Sequence, residues 1–232
     1  MPAYFLLRFV VLYYFLFSFK ASRQIYNLYH HRLGYSRLNA IGKLYKNYYL
    51  LGQSIIDKVV VMSGIKNSFS FVFDGEESLR SAHIGNWDVA GHLFKRLETP
   101  INIVLYDGEH EQIKEYLERV TGKRNVNLII IKNDLSHIYA ISEALTNNEL
   151  VCMHADRFIE GNKTLSADFL GEKARFPMGP FLLAAKFKVP VSFVFAVKES
   201  KLHYHFFASE IKEYTSLHKD AAMQEMLNDY AA

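Results

Sequence analysis

Apolar side chains recur at three- and four-residue spacing through the first sixty residues, which is the period of an amphipathic helix. Residues 2–19 are almost entirely apolar or aromatic, and helical spacing continues through 22–31 and 36–62. Gly34 separates the last two segments. We therefore predict three helical segments, and we expect the apolar stripe of the last one to pack mostly against the core. That stripe consists of Leu38, Ile41, Tyr45, Tyr48, Leu51, Ile55, Val59 and Met62.

Beyond residue 68 short apolar runs alternate with helical spacing, which is typical of an α/β fold. We predict a mixed β-sheet flanked by helices at 65–232, behind a helical N-terminal region at 1–64, the two together forming one structural unit. The predicted strands are 69–73, 78–83, 101–106, 126–131, 149–154, 165–170, 190–197 and 202–207. The predicted helices of the second part are 87–97, 109–121, 134–147, 178–187 and 216–229.

Composition narrows the class of protein. A chain of 232 residues can bury a sizeable core. Half of its residues are apolar and 15% are aromatic, which suits a protein that touches lipid. The net charge of +3 is too small to indicate a nucleic-acid partner. The single cysteine, Cys152, cannot form an internal disulfide and lies in an apolar run, which indicates a reducing compartment and a buried, inert thiol.

The apolar run at 2–19 is of marginal length for a membrane span, and Arg8 lies inside it. It is aromatic, and no small-residue cleavage site follows, so a cleavable signal peptide is not expected. The run best fits a helix that lies in or enters the membrane interface. An ordinary core helix is the alternative. The basic residues that follow suit either anionic headgroups or a solvated face: His30, His31, Arg32, Arg37, Lys43 and Lys46.

The candidate chemistry centres on 82–92, which reads Ala-His-Ile-Gly-Asn-Trp-Asp-Val-Ala-Gly-His. Asn86 is a good N-cap that places Asp88 in the first turn of the predicted helix. Gly85 permits a tight turn between His83 and that helix. A turn there would bring the imidazole beside the carboxylate, which is the arrangement of a general base and the group that orients it.

Two other interpretations of His83 stay open. The histidine could ligate a metal with Asp88 and with His92, which lies one helical turn beyond Asp88. It could also be a structural residue that only bonds its neighbours. The metal interpretation is the weaker of the two, because no other histidine or acid pair in the chain has ligand spacing.

A second group of polar residues, His154-Ala155-Asp156-Arg157, follows the strand predicted at 149–154. Polar residues at the end of an apolar strand commonly form binding sites in α/β sheets. The guanidinium of Arg157 suits a phosphate or a negative charge that develops during a reaction. The alternative is a turn in which Asp156 and Arg157 only satisfy backbone groups.

A third group lies between the strand at 165–170 and the helix at 178–187. Lys173 and Arg175 are its cations. Gly179 and Pro180 open the helix, where exposed backbone N–H groups could receive a phosphate or an oxyanion.

His-x4-Asp with Gly-Asn-Trp inside it resembles the catalytic motif of the bacterial lipid A biosynthesis acyltransferases, within the wider His-x4-Asp/Glu glycerolipid acyltransferase superfamily. Many lipid A family members carry Glu where this chain has Asp88. The stretch 168–184, with its Phe-Leu-Gly, its basic turn and its Gly-Pro before an apolar helix, is similar to a later family segment. Val189-Pro190-Val191 is similar to the family's closing strand. The matches run from about 80 to 197 in family order.

The resemblance implies an acyltransferase on the cytoplasmic face of the bacterial inner membrane. Its donor would be a fatty-acyl thioester of acyl carrier protein or coenzyme A, and its acceptor a hydroxyl of a lipid A-type or related membrane lipid. No metal or organic cofactor is implied. Three alternatives stay open: the same chemistry on an amino-acid lipid or a lipid-linked pigment, a metal-dependent hydrolase, and a non-catalytic membrane-associated binding protein.

The resemblance also implies roles for individual residues. His83 would be the general base and Asp88 its orienting group. The resemblance also implies that Gly85 and Asn86 shape the turn at the substrate site. Arg157, Lys173 and Arg175 would hold phosphate on the donor or acceptor. Gly179 would contact substrate at the start of its helix.

Overall fold

The structure, a computed structural model, describes residues 2–62, 69–75, 82–84, 99–106, 126–132, 134–157 and 161–232. For residues 2, 61–62 and 82–84 the description covers the backbone alone. The predicted helices 87–97 and 109–121 lie outside the described residues. Contacts divide the chain into two compact units, Met1–Asn67 with Leu170–Glu172, and Ser68–Phe169 with Lys173–Ala232.

The N-terminal unit is helical, as its spacing predicts. Helix α1 covers Pro2–Phe17, α2 covers Phe19–Asn27 and continues into a π-helical turn, Leu28–Arg32, and α3 covers Arg37–Met62. Gly34 lies in the break before α3 with φ +71°, a left-handed conformation that glycine adopts without strain. Among the described residues, no single helix is both long and apolar enough to cross a bilayer. Only α1 together with the helical stretch that follows it to Arg32 is long and apolar enough, and these two are bent by 88° at their junction.

Helices α1 and α3 pack through a face that is partly polar. Tyr4 and Leu7 of α1 are buried, and the Tyr4 hydroxyl donates a hydrogen bond to Asp57 of α3, which is 1% exposed. Gly52 lets α3 approach α1 closely, since a Cβ there would lie 2.4 Å from Leu7 Cδ1.

The expectation that the apolar stripe of α3 packs against the core is wrong for most of that stripe. Its exposed members are Leu38, Ile41, Leu51, Ile55 and Val59.

The second unit combines nine strands with three helices over the described residues, which confirms the predicted mixed α/β class. The strands are β1 Ser70–Asp74, β2 Ala82–Ile84, β3 Ile101–Tyr106, β4 Val126–Ile131, β5 Leu150–Cys152, β6 Thr164–Phe169, β7 Glu172–Pro177, β8 Ser192–Lys198 and β9 His203–Ala208. The helices are α4 Ser136–Thr146, α5 Met178–Phe187 and α6 Lys219–Ala231.

The strands form three small sheets. One has the order β1-β9-β8-β2, in which only the β8–β9 pair is antiparallel, and another has the order β4-β3-β5 with all pairs parallel. Strands β2 and β5 contact each other, so the edges of these two sheets adjoin. In β3 the residues Ile101–Leu105 are all buried, as expected for a parallel strand that is covered on both faces.

The third sheet pairs β6 with β7. No strand is predicted between residue 170 and α5, and the basic or small turn implied there by the resemblance is in fact the strand β7. The sequence Glu-Lys-Ala-Arg-Phe-Pro lacks the apolar pattern of a buried strand, because only its last two residues, Phe176 and Pro177, are buried. A strand that is exposed over most of its length needs little apolar alternation.

The edge of the four-stranded sheet is held by an ionic contact around His205 in β9. Its Nε2 lies 2.8 Å from Asp74 of β1, and its Nδ1 lies 2.8 Å from Glu199, in the turn between β8 and β9. His203 Nε2 lies 3.5 Å from the same Glu199 carboxylate. These hydrogen bonds, that with Glu199 foremost, raise the pKa of His205 above its ordinary value. The imidazolium, with two N–H donors, is the form that suits both carboxylates.

We expect this contact to make stability fall as the pH rises. Because the folded pKa of His205 lies above the unfolded value of about 6.5, its contribution is complete below that value and is lost as the pH passes through the folded pKa. His205→Gln should therefore remove part of the wild-type decline in melting temperature above about pH 6.5. Thermal melts across a pH series would measure this, with the exposed His218→Gln as the control. Parallel curves for wild type and His205→Gln would contradict the assignment.

Candidate functional site

The structure places the backbone of His83 at the edge of the four-stranded sheet. Strand β2 pairs with β8 in parallel register, and His83 is the partner of Phe193. Gly85, Asn86 and Asp88 lie outside the described residues, as do His92 and the His83 side chain. The contact between the imidazole and the carboxylate therefore stays a prediction.

The neighbouring strand β5 leads directly into the second predicted group. The chain leaves β5 at Cys152, and His154, Asp156 and Arg157 follow within five residues. His154 is largely buried, with 14% of its side chain exposed, and its Nδ1 lies 3.8 Å from Asp156 Oδ1. That separation is too long for a hydrogen bond but short enough for the two groups to interact electrostatically.

A cavity of about 280 Å³ opens where β3, β4 and β5 end. We call it the cationic cavity, because its walls carry four groups that are positive or can become so: His137, His154, Arg157 and Lys163. Carboxyl ends of parallel strands are the usual place for ligands in α/β sheets. Arg157 and Lys163 give the cavity a fixed positive charge, which suits a phosphate or another anion.

The start of α5 forms another wall of the cationic cavity through Pro177, Met178, Gly179 and Pro180. Pro177 occupies the N-cap position in an extended conformation, so the helix begins immediately after it. The Met178 N–H donates to the Lys163 carbonyl at 3.0 Å, which fixes the start of β6 against the start of the helix. The N-terminal end of a helix carries a partial positive charge and adds to the attraction for an anion.

His137 reaches the same cavity from α4. Its Nδ1 accepts a hydrogen bond from the Lys132 N–H at 3.3 Å, so a neutral ring carries its proton on Nε2. Asp134 accepts bonds from the Ser136 N–H and hydroxyl just before that helix. These two bonds lower the pKa of Asp134 and hold the turn that delivers His137.

A second cavity, of about 200 Å³, lies between α4, β5 and α5. We call it the apolar cavity, because most of its walls are aliphatic. Met153, Pro180 and Leu183 line both cavities, so the two adjoin. Its other apolar walls are Ile141, Leu145, Leu150, Val151, Ala184, Val189 and Pro190, with Asn148 and Glu149 at its far end.

The predicted binding residues divide into two groups. Arg157 and Gly179 both line the cationic cavity. Lys173 and Arg175 lie on β7 and do not line it; the Lys173 side chain is 76% exposed and lies 3.8 Å from Asp168 of β6. Lys163 lines the cavity but was missed, because a lone lysine after Gly-Asn gives no periodic signal.

The buried state of Cys152 is confirmed. Burial raises the pKa of its thiol to about 12, so the thiol stays neutral and unreactive near pH 7. Within the described ranges no cluster of three or more His, Cys, Asp or Glu residues could hold a metal ion. The metal interpretation of His83, Asp88 and His92 is not tested by this observation, since those side chains are not described.

The cationic cavity predicts an anion-binding test. Arg157→Gln and Lys163→Gln should each weaken binding of inorganic pyrophosphate about threefold to tenfold, because an exposed charge-assisted hydrogen bond contributes roughly 1 kcal/mol. Isothermal titration would measure the dissociation constants. Lys219→Gln is the matched control, since it removes an exposed lysine at the start of α6 that does not line the cavity. Equal binding by all three variants and wild type would remove the cavity as the anion site.

A family model described as bacterial lipid A biosynthesis acyltransferase matches residues 78–231. The matched range covers more than half of the chain and contains the His83 segment, every predicted site residue and both cavities. No curated protein matches the chain.

Proposed function

Because the chain belongs to the bacterial lipid A biosynthesis acyltransferase family, we propose that this acyltransferase moves a fatty-acyl chain from a thioester donor to a hydroxyl of a lipid A-type or related membrane lipid. The observation that carries the proposal is the match over 78–231, which includes the His-x4-Asp segment. The donor is a thioester of acyl carrier protein or of coenzyme A.

The proposed reaction assigns proton transfer to His83 and its orientation to Asp88. The imidazole takes the proton of the acceptor hydroxyl while the hydroxyl oxygen attacks the thioester carbonyl carbon. The carbon–sulfur bond then breaks, and the proton passes to the departing sulfur. Gly85 and Asn86 shape the turn that brings the base and its orienting group together. A thioester is already activated, so positioning and proton removal supply most of the rate enhancement.

The two adjoining cavities support a fatty-acyl thioester as the donor, because such a donor has an anionic part and an apolar part. Arg157 and Lys163 suit a phosphate of the donor or acceptor. The apolar cavity behind Met153 and Leu183 suits the acyl chain. Lys173 and Arg175 on β7 suit a rim contact with the headgroup or with an acidic carrier protein.

We place the protein on the cytoplasmic face of the bacterial inner membrane through its helical unit. Large apolar side chains are exposed along α1 and α3 and at Phe19, the first residue of α2, and few soluble monomers expose so many together. A groove of about 670 Å³ between α1 and α3 is lined almost entirely by apolar residues. The most exposed of these side chains on the two N-terminal helices are Phe5, Leu6, Phe9, Tyr13, Phe17 and Phe19.

The first test removes the proposed base. His83→Ala should abolish acyl transfer in the cell, and an under-acylated acceptor lipid should accumulate. Mass spectrometry of total lipids would detect that lipid and name the acceptor, including an amino-acid lipid or a lipid-linked pigment. His218→Ala, at an exposed position outside the motif, should leave the profile unchanged. An unchanged profile in the His83→Ala strain would favour a non-catalytic binding protein, and loss of wild-type activity with a chelator would favour the metal-dependent hydrolase.

The second test addresses the apolar cavity. Val151 is half-buried in its wall, on β5 two residues before Met153. Val151→Phe should shift the preferred donor towards shorter acyl chains by filling the cavity, and Val151→Ala should shift it towards longer chains. Transfer rates with a series of acyl thioesters would measure the preference. Val72→Phe makes the same substitution on the exposed edge strand β1 and should leave the chain-length preference unchanged. If neither Val151→Phe nor Val151→Ala alters that preference, the acyl chain binds outside this cavity.

A further inference from the structure

The turn between β6 and β7 carries large apolar side chains at its tip. Two residues, Leu170 and Gly171, join the two strands. Their φ angles are +51° and +81°, both positive, as a type I′ hairpin turn requires. Leu170 is 45% exposed, and Phe169 just before it is 42% exposed. We call residues 169–171 the hairpin tip, and it presents two consecutive large apolar side chains to its surroundings.

Leucine is an unfavourable residue for this turn. Asparagine, aspartate and glycine are preferred at the first central position of a type I′ turn, because they adopt positive φ at little cost. A bulky side chain in that conformation stores backbone strain. Because nearly half of its surface is exposed, Leu170 recovers little of that cost by packing within the chain. Burial against an apolar phase outside the chain would recover more of it.

The hairpin is braced directly behind its tip. The Phe169 ring packs edge-to-face on Phe176 of β7, with 6.2 Å between the ring centroids, and Phe176 lies in the core of the second unit. Asp168 and Lys173, one on each strand, form an ion pair at 3.8 Å. The two apolar side chains of the tip are therefore carried by a packed pair of strands and not by an unsupported loop.

The hairpin tip is tied to the N-terminal helices. Leu170–Glu172 belong to the same compact unit as α1, α2 and α3. Glu172 accepts a hydrogen bond from Arg32, in the π-helical turn that follows α2. The stretch Phe19–Arg32 is bent by 88° from α1. When α1 enters a bilayer close to the membrane normal, this stretch lies along the surface, and the bond to Arg32 holds the tip at the same level.

The charges beside the tip are compatible with an anionic lipid surface. Asp168 and Glu172 are both paired with cations, Asp168 with Lys173 and Glu172 with Arg32, so these two acids add no net negative charge. His30 and His31, which precede Arg32, add positive charge when they are protonated. Anionic headgroups attract cations at this level, and the apolar tip enters the layer just beneath them.

We propose that the hairpin tip is a second membrane contact of this protein, at which Phe169 and Leu170 insert below the headgroups of an anionic phospholipid bilayer. Strand β7 runs from the tip to Pro177, which lines the cationic cavity, over six residues or about 20 Å. The contact therefore sets the distance of the cavity wall from the bilayer. The inference rests on the proposed membrane location and does not depend on acyl transfer.

Leu170→Asn tests the proposal without weakening the fold. Asparagine is favoured in this turn, so the full-length variant should melt about 2–4 °C above wild type. Its affinity for vesicles of phosphatidylcholine with phosphatidylglycerol should nevertheless fall about threefold to tenfold, because the leucine surface no longer enters the bilayer. Co-sedimentation over a range of lipid concentrations would measure the affinity. Unfolding could not explain weaker binding by a more stable protein.

Leu135→Asn is the matched control. Leu135 is also an exposed leucine with positive φ, at +61°, but it lies just before α4. The same substitution relieves the same kind of strain, so the melting temperature should rise similarly while vesicle binding stays at the wild-type level. Equal losses of binding in Leu135→Asn and Leu170→Asn would reflect general surface hydrophobicity and would overturn the contact at the tip.

The remaining outcomes separate the inference from the proposed function. If wild type binds vesicles and Leu170→Asn binds them equally well, the contact at the tip is wrong and the membrane location through the helices stands. If wild type binds no vesicles, the membrane location and the contact at the tip both fail, whereas the lipid profile of the His83→Ala strain still decides acyl transfer. Normal vesicle binding by Leu170→Asn with a raised KM for an acyl carrier protein donor would assign the tip to a protein partner instead. Equal affinity of wild type for vesicles with and without phosphatidylglycerol would overturn the preference for anionic lipid.

Discussion

The parallel pairing of β2 with β8 is the constraint on which the proposed chemistry depends. Strand β8 is buried at Ser192, Phe193 and Val194, the three positions that pair with Ala82, His83 and Ile84. A strand of three residues gains little from its own backbone hydrogen bonds, so its position follows from the buried neighbour. The backbone of the proposed base is therefore fixed by the packing of β8 against α5 and α6.

Much of the sheet could be predicted because parallel strands are apolar on both faces and have clear ends. The runs at 101–106 and 126–131 and the helix at 178–187 have the predicted limits. Strand β7 was missed because most of it is solvated and its charges look like a turn. The stripe on α3 was assigned to the wrong environment, since periodicity identifies a face of a helix but not what that face contacts.

The candidate site was only partly predictable for a related reason. Arg157 and Gly179 could be found because each follows a recognisable boundary, the end of a strand or the start of a helix. Lys163 has no such marker, and its place in the cationic cavity depends on how β6 begins beside α5. Tyr230 looks like one more aromatic residue in a C-terminal helix, and only the fold packs its ring against Phe193 and Phe195 of β8. Contacts between distant parts of the chain are set by tertiary packing, which local patterns do not encode.

The burial of Cys152 has a practical consequence for studying this protein. It is the single cysteine of the chain, it is fully enclosed, and its thiol is neutral at ordinary pH. Maleimide and methanethiosulfonate reagents attack the exposed thiolate, so the native protein should be nearly inert to them. A cysteine introduced at any exposed position would then carry a spin label or fluorophore selectively, without first removing the native residue.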